Sequence, residues 1–256
     1  MKMCCNIFLV VRTASSRLPR KALLRIKNKP LIKILLGRIR IKKVKKIVIC
    51  TTNQKTDDKL VRLLQDCNVK IFRGDENNVL YRIYEAARKY KISKFVVVEG
   101  DDLFCDPDLI QKTWDLLSKT DYEFIVWNGL PFGVSPTGIK TKKLKMLIEN
   151  SVINSDTGWG EFIINSGYFK VGKLTPDNQK LLRPEIRLSV DYPEDFNLAK
   201  KIISKLPNKF CLEDIIDLFD TNPQLLKINA SVKKKYELNF KKKMIKVLGP
   251  KMGGPR

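Results

Sequence analysis

The most constraining feature of this sequence is residues 7–21, IFLVVRTASSRLPRK, where an apolar run changes abruptly into a polar loop. The continuous apolar run predicts a strand that is buried on both faces. The cationic and hydroxyl side chains of the loop include Arg12, Ser15, Ser16, Arg17, Arg20 and Lys21. Guanidinium forks, an ammonium group and backbone N–H groups at the end of a buried strand suit an anion site. We therefore expect loop 12–21 to bind an anion.

Segments of strand type and helix type alternate along the rest of the chain. Five apolar runs predict buried strands at 4–11, 46–51, 69–72, 94–98 and 122–127. Helical spacing of apolar residues predicts helices at 30–41, 55–66, 78–90 and 107–117. A further short strand is expected at 188–191, followed by helices at 193–204 and 212–219. This alternation predicts an α/β fold with a mainly parallel central sheet, helices on both faces and a ligand crevice at the carboxyl ends of the strands.

Length and hydropathy predict one domain with a tail. A chain of 256 residues, 43% of them hydrophobic, is long enough to bury a sizeable core. Its apolar runs are shorter than the roughly 18–20 residues that span a membrane. The first residues, MKMCCNIFLVVR, lack a small-residue cleavage site and are interpreted as strand rather than signal peptide. We expect one α/β domain over 1–230 and a basic tail over 231–256 that is partly ordered at best.

Cysteine and histidine usage argues against a zinc site. The six cysteines are scattered without a CxxC pair, and the sequence has no histidine. Cysteines within apolar runs are typical of buried thiols in a reducing compartment, so we expect a cytoplasmic protein.

The net charge of +23 is concentrated at the two ends of the chain. Residues 1–56 contain 16 lysines and arginines and no acidic residue, whereas residues 57–226 carry a net charge of −2. Such basic ends favour polyanions such as nucleotides, nucleic acid or anionic membranes, although solvated surface lysines explain the tail equally well. The near-neutral middle argues against an obligate nucleic-acid partner.

Carboxylates follow two of the predicted strands. Asp101 and Asp102 come directly after the strand at 94–98, and Asp191 ends the strand at 188–191. Each could simply cap a helix or form a turn. Together with a cationic loop in the same crevice, they are what metal-assisted transfer of a nucleotidyl group requires, because Mg²⁺ takes one or two carboxylates plus phosphate oxygens.

At the level of whole motifs, VRTASSRLPRK resembles the signature loop of the cytidylyltransferases that make CMP-activated acidic sugars. The resemblance is to the branch that includes spore-coat polysaccharide SpsF-like proteins, CMP-KDO synthetases and acylneuraminate cytidylyltransferases. Three further stretches agree in order and spacing, namely FRGDENNVLYRIYEAARKY, VEGDDLFCDPDLI and LSVDYPEDFNLAKKI. The resemblance spans about residues 4–205 and implies a single-domain nucleotide-diphospho-sugar-transferase (GT-A-like, Rossmann-like) fold.

The resemblance also implies roles for individual residues. Arg12, Arg17 and Lys21 would hold the triphosphate of CTP, and Asp101 and Asp191 would bind Mg²⁺. Catalytic roles are thus expected for Arg12, Arg17, Lys21 and Asp101. The nucleotide-binding set is expected to be Arg12, Thr13, Ala14, Ser15, Ser16, Arg17, Lys21, Arg73, Gly74, Asn78, Val79 and Glu99. Acceptor contacts are expected from Trp159, Glu161 and Arg187, with Arg183 a further candidate.

The implied reaction is in-line attack of an acceptor hydroxyl or phosphate on the α-phosphorus of CTP, with release of pyrophosphate, for surface polysaccharide or glycoconjugate synthesis. Because the chain has no histidine, a histidine base is excluded, and activation of the acceptor by the metal is the expected alternative. A protonated Lys21 would stabilise charge. Relatives of this kind are commonly homodimers, and the same is expected here.

The sequence departs from the family pattern at two positions of the loop. Ala14 and Arg20 stand where the family usually has glycine, which leaves an inactive nucleotide-binding homologue open. Two other functional hypotheses also stay open. One is a glycosyltransferase of related fold that uses a nucleotide-sugar, although Asp101 and Asp102 are adjacent rather than spaced as DxD. The other is a basic nucleotide-binding or RNA-binding protein without enzymatic activity.

Overall fold

The computed structural model describes residues 5–150 and 158–248, with side chains as far as residue 241. In chain order the strands are β1 (Cys5–Val10), β2 (Arg25–Ile26), β3 (Lys29–Pro30), β4 (Val44–Thr52), β5 (Lys70–Gly74), β6 (Lys94–Glu99), β7 (Phe124–Trp127), β8 (Thr137–Lys140) and β9 (Val171–Leu174). The helices are α1 (Leu31–Ile39), α2 (Asp58–Leu64), α3 (Val79–Lys89), α4 (Pro107–Lys119), α5 (Thr141–Glu149), α6 (Trp159–Asn165), α7 (Pro193–Lys205), α8 (Leu212–Thr221) and α9 (Ala230–Leu248). None of these helices is long and apolar enough to cross a membrane.

Within the described residues, seven strands form one mixed sheet in the order β5-β4-β1-β6-β8-β7-β9. Strands β5, β4, β1 and β6 are parallel, while β8 runs antiparallel to both of its neighbours. In the register of the sheet Val10 lies beside both Cys50 and Glu99. The loops that follow β1 and β6 therefore leave the sheet side by side, as expected for a crevice at the carboxyl ends of parallel strands.

The close approach of these two loops depends on Gly100. Its N–H donates to Val10 O at 2.7 Å. A Cβ atom at position 100 would lie 2.6 Å from Val11 Cβ, closer than packed carbon atoms allow. The glycine thus lets the β6 loop lie directly against the β1 loop.

Both faces of the sheet are covered by apolar packing. One buried cluster joins the sheet to α1, α2, α4, α7 and α8, and it includes Leu35, Trp114 and Ile202. The other joins the sheet to α3, α5 and α6, and there Phe8 stacks on Phe95 with ring centroids 4.0 Å apart. The predicted α/β fold is confirmed, because continuous apolar runs formed central strands and amphipathic segments formed the covering helices.

Two differences from the sequence predictions concern the second half of the chain. The strand expected at 188–191 is not formed, and Arg187 instead makes a single parallel bridge to Phe132. Strand β8 was not predicted, and it lies between β6 and β7, so the strand expected at 122–127 does not pair with β6. Short strands with polar or glycine residues, such as Thr137–Lys140, carry too little periodicity to be recognised in isolation.

The predicted basic tail also differs from the structure. Residues Ala230–Leu248 form helix α9, whose Val232 is buried. The first residue of the strand expected at 4–11 and the last residues of the tail expected at 231–256 lie outside the described residues. The domain boundary proposed at 230/231 stays a prediction.

Candidate active site

A cavity of about 420 Å³, called the main cavity below, opens at the carboxyl ends of β1 and β6. It gathers residues from seven separated segments of the sequence. The predicted site residues that line it are Arg12, Ala14, Ser15, Ser16, Arg17, Lys21, Val79, Glu99, Asp101, Trp159, Glu161 and Asp191. The structure therefore brings together most of the residues that the sequence motifs singled out.

Loop 12–21 is held in place by a buried carboxylate that sequence analysis did not identify. Asp57 is fully buried, and its Oδ1 accepts hydrogen bonds from Thr13 N (2.7 Å) and Thr13 Oγ1 (2.6 Å). Its Oδ2 accepts from the hydroxyl groups of Thr51 (2.8 Å) and Thr52 (2.6 Å) and from Thr52 N (3.1 Å). Burial opposes ionisation, but these hydrogen bonds outweigh it and lower the pKa of Asp57. Asp57 thus ties the start of the loop to the end of β4.

The centre of the main cavity is a cluster of cations and carboxylates. Lys21 Nζ donates to Asp101 Oδ2 at 2.6 Å and to Asp191 Oδ1 at 2.9 Å. Arg17 Nη2 also donates to Asp191 Oδ1. Burial opposes the charged form of Lys21, but the two carboxylates outweigh it, so the pKa of Lys21 is raised. The ammonium group is therefore a stable cation that bridges two carboxylates from different segments of the chain.

Asp191 is held from behind by a second, buried layer of ionic contacts. Arg187 Nη2 donates to Asp191 Oδ2 at 2.9 Å, and Arg187 Nε donates to Asp195 Oδ1 at 3.1 Å. Asp195 also accepts from Asn229 Nδ2 at 2.8 Å. Burial would raise the pKa of Asp191, but Lys21 and Arg17 outweigh it and hold that pKa well below its usual range. The carboxylate of Asp191 is thus permanently charged and fixed in direction.

Gly133 brings the segment that carries Asp191 into position. Its φ of +94° favours glycine, and an added Cβ would lie 2.3 Å from Ser189 N. Because glycine stands there, the chain next to Phe132 can lie against residues 187–189, where Leu188 N donates to Phe132 O at 2.7 Å. This contact replaces the strand pairing that sequence analysis expected for 188–191.

Glu99 and Asp102 are acids beside this charged centre. Trp159 Nε1 donates to Glu99 Oε1 at 2.8 Å. Burial, followed by the charge of Asp101, raises the pKa of Glu99 to about 7. Burial and the same neighbouring charge also raise the pKa of Asp102 well above its usual range. Asp102 N donates to Glu99 O at 3.1 Å, which is the turn role expected for this residue.

Several residues predicted to contact ligand lie away from the main cavity lining. The guanidinium of Arg73 is bound to Asp58 (2.7 Å), Thr52 O (3.0 Å) and Gln54 O (2.8 Å). Thr13 faces Asp57, and Asn78 caps α3 by accepting from Tyr81 N at 2.9 Å. A Cβ at Gly74 would meet Phe72 and Arg82, so this glycine serves internal packing. These four positions support the site rather than line it.

The predicted acceptor contacts need one correction. Arg187 is 5% exposed and bonded to Asp191 and Asp195, so it positions Asp191 and does not line the main cavity. Arg183 pairs with Glu185 and Asp220 at the surface. These arginines could not be distinguished from ligand contacts in the sequence, because an acid a few residues away does not by itself show that the two side chains pair.

The departures at Ala14 and Arg20 have different structural consequences. Among the described non-glycine residues, positive φ angles occur at Arg20 (55°), Lys27, Asn28, Asn68 and Lys91, and Ala14 is not one of them. Ala14 therefore has a backbone conformation that does not require glycine. Arg20 takes a left-handed conformation that glycine adopts at lower energy.

The lining residues that were not predicted from the sequence include one arginine and three aromatic residues. Arg82 on α3 is almost fully buried, and its Nη1 donates to Asp75 O at 2.5 Å. Phe132, Tyr236 and Phe240 form an aromatic wall, with ring centroids 5.1 Å apart for the first pair and 6.0 Å for the second. The spacing of Val232, Tyr236 and Phe240 at every fourth position is the signal that could have identified α9 as a packed helix.

The donor set of the main cavity fits a hard divalent cation. Asp101 and Asp191 come from different segments, yet their oxygens lie within hydrogen-bond distance of one cationic group, Lys21 Nζ. Two carboxylates are enough for Mg²⁺ when substrate phosphates complete its coordination. The described residues contain no cluster of three or more potential protein ligands, so a metal at this site would depend on the substrate.

The fold and site define an α/β protein with a crevice in which a cationic loop is bonded to two carboxylates. A family model described as cytidylyltransferase matches residues 7–202, and the chain belongs to this family of enzymes. An uncharacterized protein of Methanocaldococcus jannaschii, MJ1063, is 32% identical over 88% of this chain and 93% of its own length. The spore coat polysaccharide biosynthesis protein SpsF of Bacillus subtilis is 27% identical over 83% and 92%, respectively.

Solved structures agree with this assignment at the level of the fold. A cytidylyltransferase from Leptospira borgpetersenii superposes with a TM-score of 0.76 at 24% identity, over 88% of this chain and 97% of that one. A CMP:2-keto-3-deoxy-manno-octonic acid synthetase complexed with CTP gives a TM-score of 0.59 at 14% identity, over 79% of this chain and 99% of that one. The seven-stranded mixed sheet thus has the fold of these two structures.

Proposed function

We propose that the protein transfers CMP from CTP to a hydroxyl or phosphate group of a sugar acid or related acceptor and releases pyrophosphate. The observation that carries this proposal is the bridge from Lys21 to both Asp101 and Asp191, beside the guanidinium group of Arg17. Family membership and the relative named for spore-coat polysaccharide biosynthesis support the nucleotide and the sugar acceptor. The product would serve surface polysaccharide or glycoconjugate synthesis.

The cationic side of the main cavity is where the triphosphate would lie. Arg12, Arg17 and Lys21 line it together with Ser15 and Ser16. The raised pKa of Lys21 keeps its ammonium group protonated, so it neutralises charge on the phosphates and does not accept a proton. Guanidinium groups supply directed pairs of N–H donors to phosphate oxygens.

Asp101 and Asp191 would hold Mg²⁺ in this arrangement. A bound Mg²⁺ would neutralise phosphate charge and activate the acceptor for in-line attack on the α-phosphorus. The chain's own contribution is to fix the direction of Asp191 through Arg187 and Asp195. Lys21, which bridges the two carboxylates without substrate, would turn towards the phosphates when substrate is present.

The acceptor side of the proposed site is the aromatic wall. Phe132 is 43% exposed, and it lines the main cavity together with Tyr236, Phe240, Trp159 and Glu161. Aromatic faces suit the apolar C–H faces of a sugar ring, while Glu161 can accept hydrogen bonds from its hydroxyl groups. We therefore replace Arg187 by the aromatic wall as the predicted acceptor contact. A homodimer and a cytoplasmic location remain parts of this proposal that rest on the resemblance.

Pyrophosphate release tests the proposed function directly. The full chain would be incubated with Mg²⁺, each of the four nucleoside triphosphates, and a panel of sugar acids, polyol phosphates and phosphonates. We expect release with CTP and at least one acceptor, loss of at least about 100-fold in Asp101→Ala, and no change in the exposed control Lys33→Gln. Tight CTP binding without release would contradict transfer and leave a nucleotide-binding homologue. Release that requires a nucleotide-sugar would favour the glycosyltransferase alternative.

A further inference from the structure

A second cavity of about 330 Å³, called the outer pocket below, lies on the other side of loop 12–21. It shares Ala14 and Ser15 with the main cavity, so one short loop separates the two. Four cationic side chains line the outer pocket, namely Arg20, Lys55, Lys59 and Arg62. None of them belongs to the charged centre described above.

The cations of the outer pocket have no acidic partner. Within the described residues none of the four makes an ion pair, whereas Arg17 and Lys21 on the other side of the loop both do. The acid in the pocket lining is Asp58, and its Oδ1 is already bound by Arg73 Nη1 at 2.7 Å. The charges of these four groups therefore repel one another around a concave surface, and only solvent or a ligand can neutralise them.

The chain backbone places these four groups together. Lys55, Lys59 and Arg62 follow at intervals of four and three residues along the turn and helix at 55–64, which puts them on one face. Arg20 reaches the pocket from a left-handed backbone with φ of 55°. That conformation costs an arginine about 1 kcal/mol relative to an ordinary one, so the fold holds this residue there against a local preference.

The lining also restricts the chemical class of ligand. In the part of the chain that the structure describes, no aromatic side chain lines the outer pocket, so a nucleotide base has no surface on which to stack. Four cations around a small volume match a compact anion with several charges. We propose that the outer pocket binds a compact polyphosphate such as pyrophosphate, at a site separate from the main cavity. This inference does not require the proposed transfer of CMP.

Calorimetric titration of the metal-free full chain with pyrophosphate tests the inference without any turnover. We expect two binding sites in the wild type, one in each cavity. Lys59→Gln combined with Arg62→Gln is expected to weaken one site at least about tenfold. Lys21→Ala is expected to weaken the other site and to leave the first unchanged. The double variant Lys33→Gln, Lys45→Gln removes the same charge from exposed positions outside both cavities and is expected to keep both sites.

Arg20→Gly separates a binding role from a structural one. Glycine adopts the left-handed conformation without the arginine's strain, so the thermal midpoint is expected to stay the same or rise. Pyrophosphate affinity of the outer site is nevertheless expected to fall at least about threefold, because one of four converging charges is lost. Orthophosphate and linear triphosphate, titrated in parallel, are expected to bind less and more tightly than pyrophosphate, respectively.

Three results would overturn the inference. One is a single pyrophosphate site in the wild type. Another is equal weakening in the outer-pocket variant and in the control at 33 and 45, which would show only a general charge effect. The last is an outer-pocket variant that binds pyrophosphate normally and loses affinity for a short single-stranded RNA, which would assign the surface to nucleic acid instead.

Discussion

The two sides of loop 12–21 carry the same kinds of side chain in opposite electrostatic settings. On the side of the main cavity, Arg17 and Lys21 are bonded to carboxylates that arrive from two other segments. On the side of the outer pocket, Arg20, Lys59 and Arg62 are exposed and make no ion pair within the described residues. The paired cations have fixed positions before a ligand binds, as catalysis requires. The unpaired ones can respond only to an anion from solution.

Asp57 anchors loop 12–21, which borders both cavities. We therefore expect Asp57→Ala to have the largest effect on the free energy of unfolding. The buried carboxylate accepts five hydrogen bonds from Thr13, Thr51 and Thr52, and the variant removes all five, although Thr13 Oγ1 can still donate to Thr56 O at 2.9 Å. The free energy of unfolding should fall by about 3–5 kcal/mol, as measured by urea titration. Asp66→Ala, an exposed acid on the same segment, should change it by less than about 0.5 kcal/mol. Similar values for the two variants would show that Asp57 does not anchor the loop.

Asp191→Asn removes a negative charge from the main cavity and does not alter the lining of the outer pocket. Arg17, Lys21 and Arg187 then share one buried negative charge fewer, so we expect a loss of about 2–4 kcal/mol in unfolding free energy. Added pyrophosphate should restore part of this stability, because an anion can replace the lost carboxylate. Asp101→Asn should cost less, since Asp101 is 26% exposed and has a single cationic partner among the ion pairs of the described residues. Equal losses in the two variants would contradict the view that Asp191 is the central anion.

Sequence patterns predicted the parts of this site that depend on local order. The strand before loop 12–21, the helices that begin near residues 78 and 107 and the carboxylate after β6 all follow from a few neighbouring residues. The contact of Asp57 with Thr13 could not be predicted, because the folded chain alone brings together two residues that are 44 positions apart. The lysines around Tyr236 and Phe240 gave α9 the composition of a tail, and this hid an aromatic pair at helical spacing.

The pH dependence of stability tests the ionisation of Glu99, a buried acid of the main cavity. Burial raises the pKa of Glu99 to about 7, above the value of about 4.5 for an exposed glutamate. The folded state therefore binds this proton more tightly than the unfolded state, so stability is greatest below the unfolded pKa and falls as the pH rises towards 7. Between pH 5 and pH 8 the contribution is about 2 kcal/mol, and Glu99→Gln should remove that part of the dependence. An unchanged pH profile in the variant would show that Glu99 ionises normally.

The aromatic wall is a part of the main cavity that no sequence motif predicted. A substitution there tests whether it contacts the acceptor. Tyr236→Ala should raise the KM for the acceptor about tenfold and the KM for CTP less, because the ring lines the proposed acceptor side and its centroid also lies 5.7 Å from the guanidinium carbon of Arg17. Tyr236→Phe keeps the ring and should be close to the wild type. An equal rise in both KM values would instead place Tyr236 against the nucleotide, or indicate that α9 supports the site as a whole.

Substitutions in the outer pocket should change the free energy of unfolding least, and they should raise it rather than lower it. Removing two mutually repelling charges with Lys59→Gln and Arg62→Gln should raise the free energy of unfolding by about 0.3 kcal/mol at low ionic strength. The gain should disappear near 1 M salt, where charges are screened within about 3 Å, and also in the presence of pyrophosphate, which would stabilise only the wild type. Urea titrations at low and high salt measure both effects. A destabilised variant at low salt would mean that these cations already have an internal partner, and the contrast between the two sides of the loop would then be wrong.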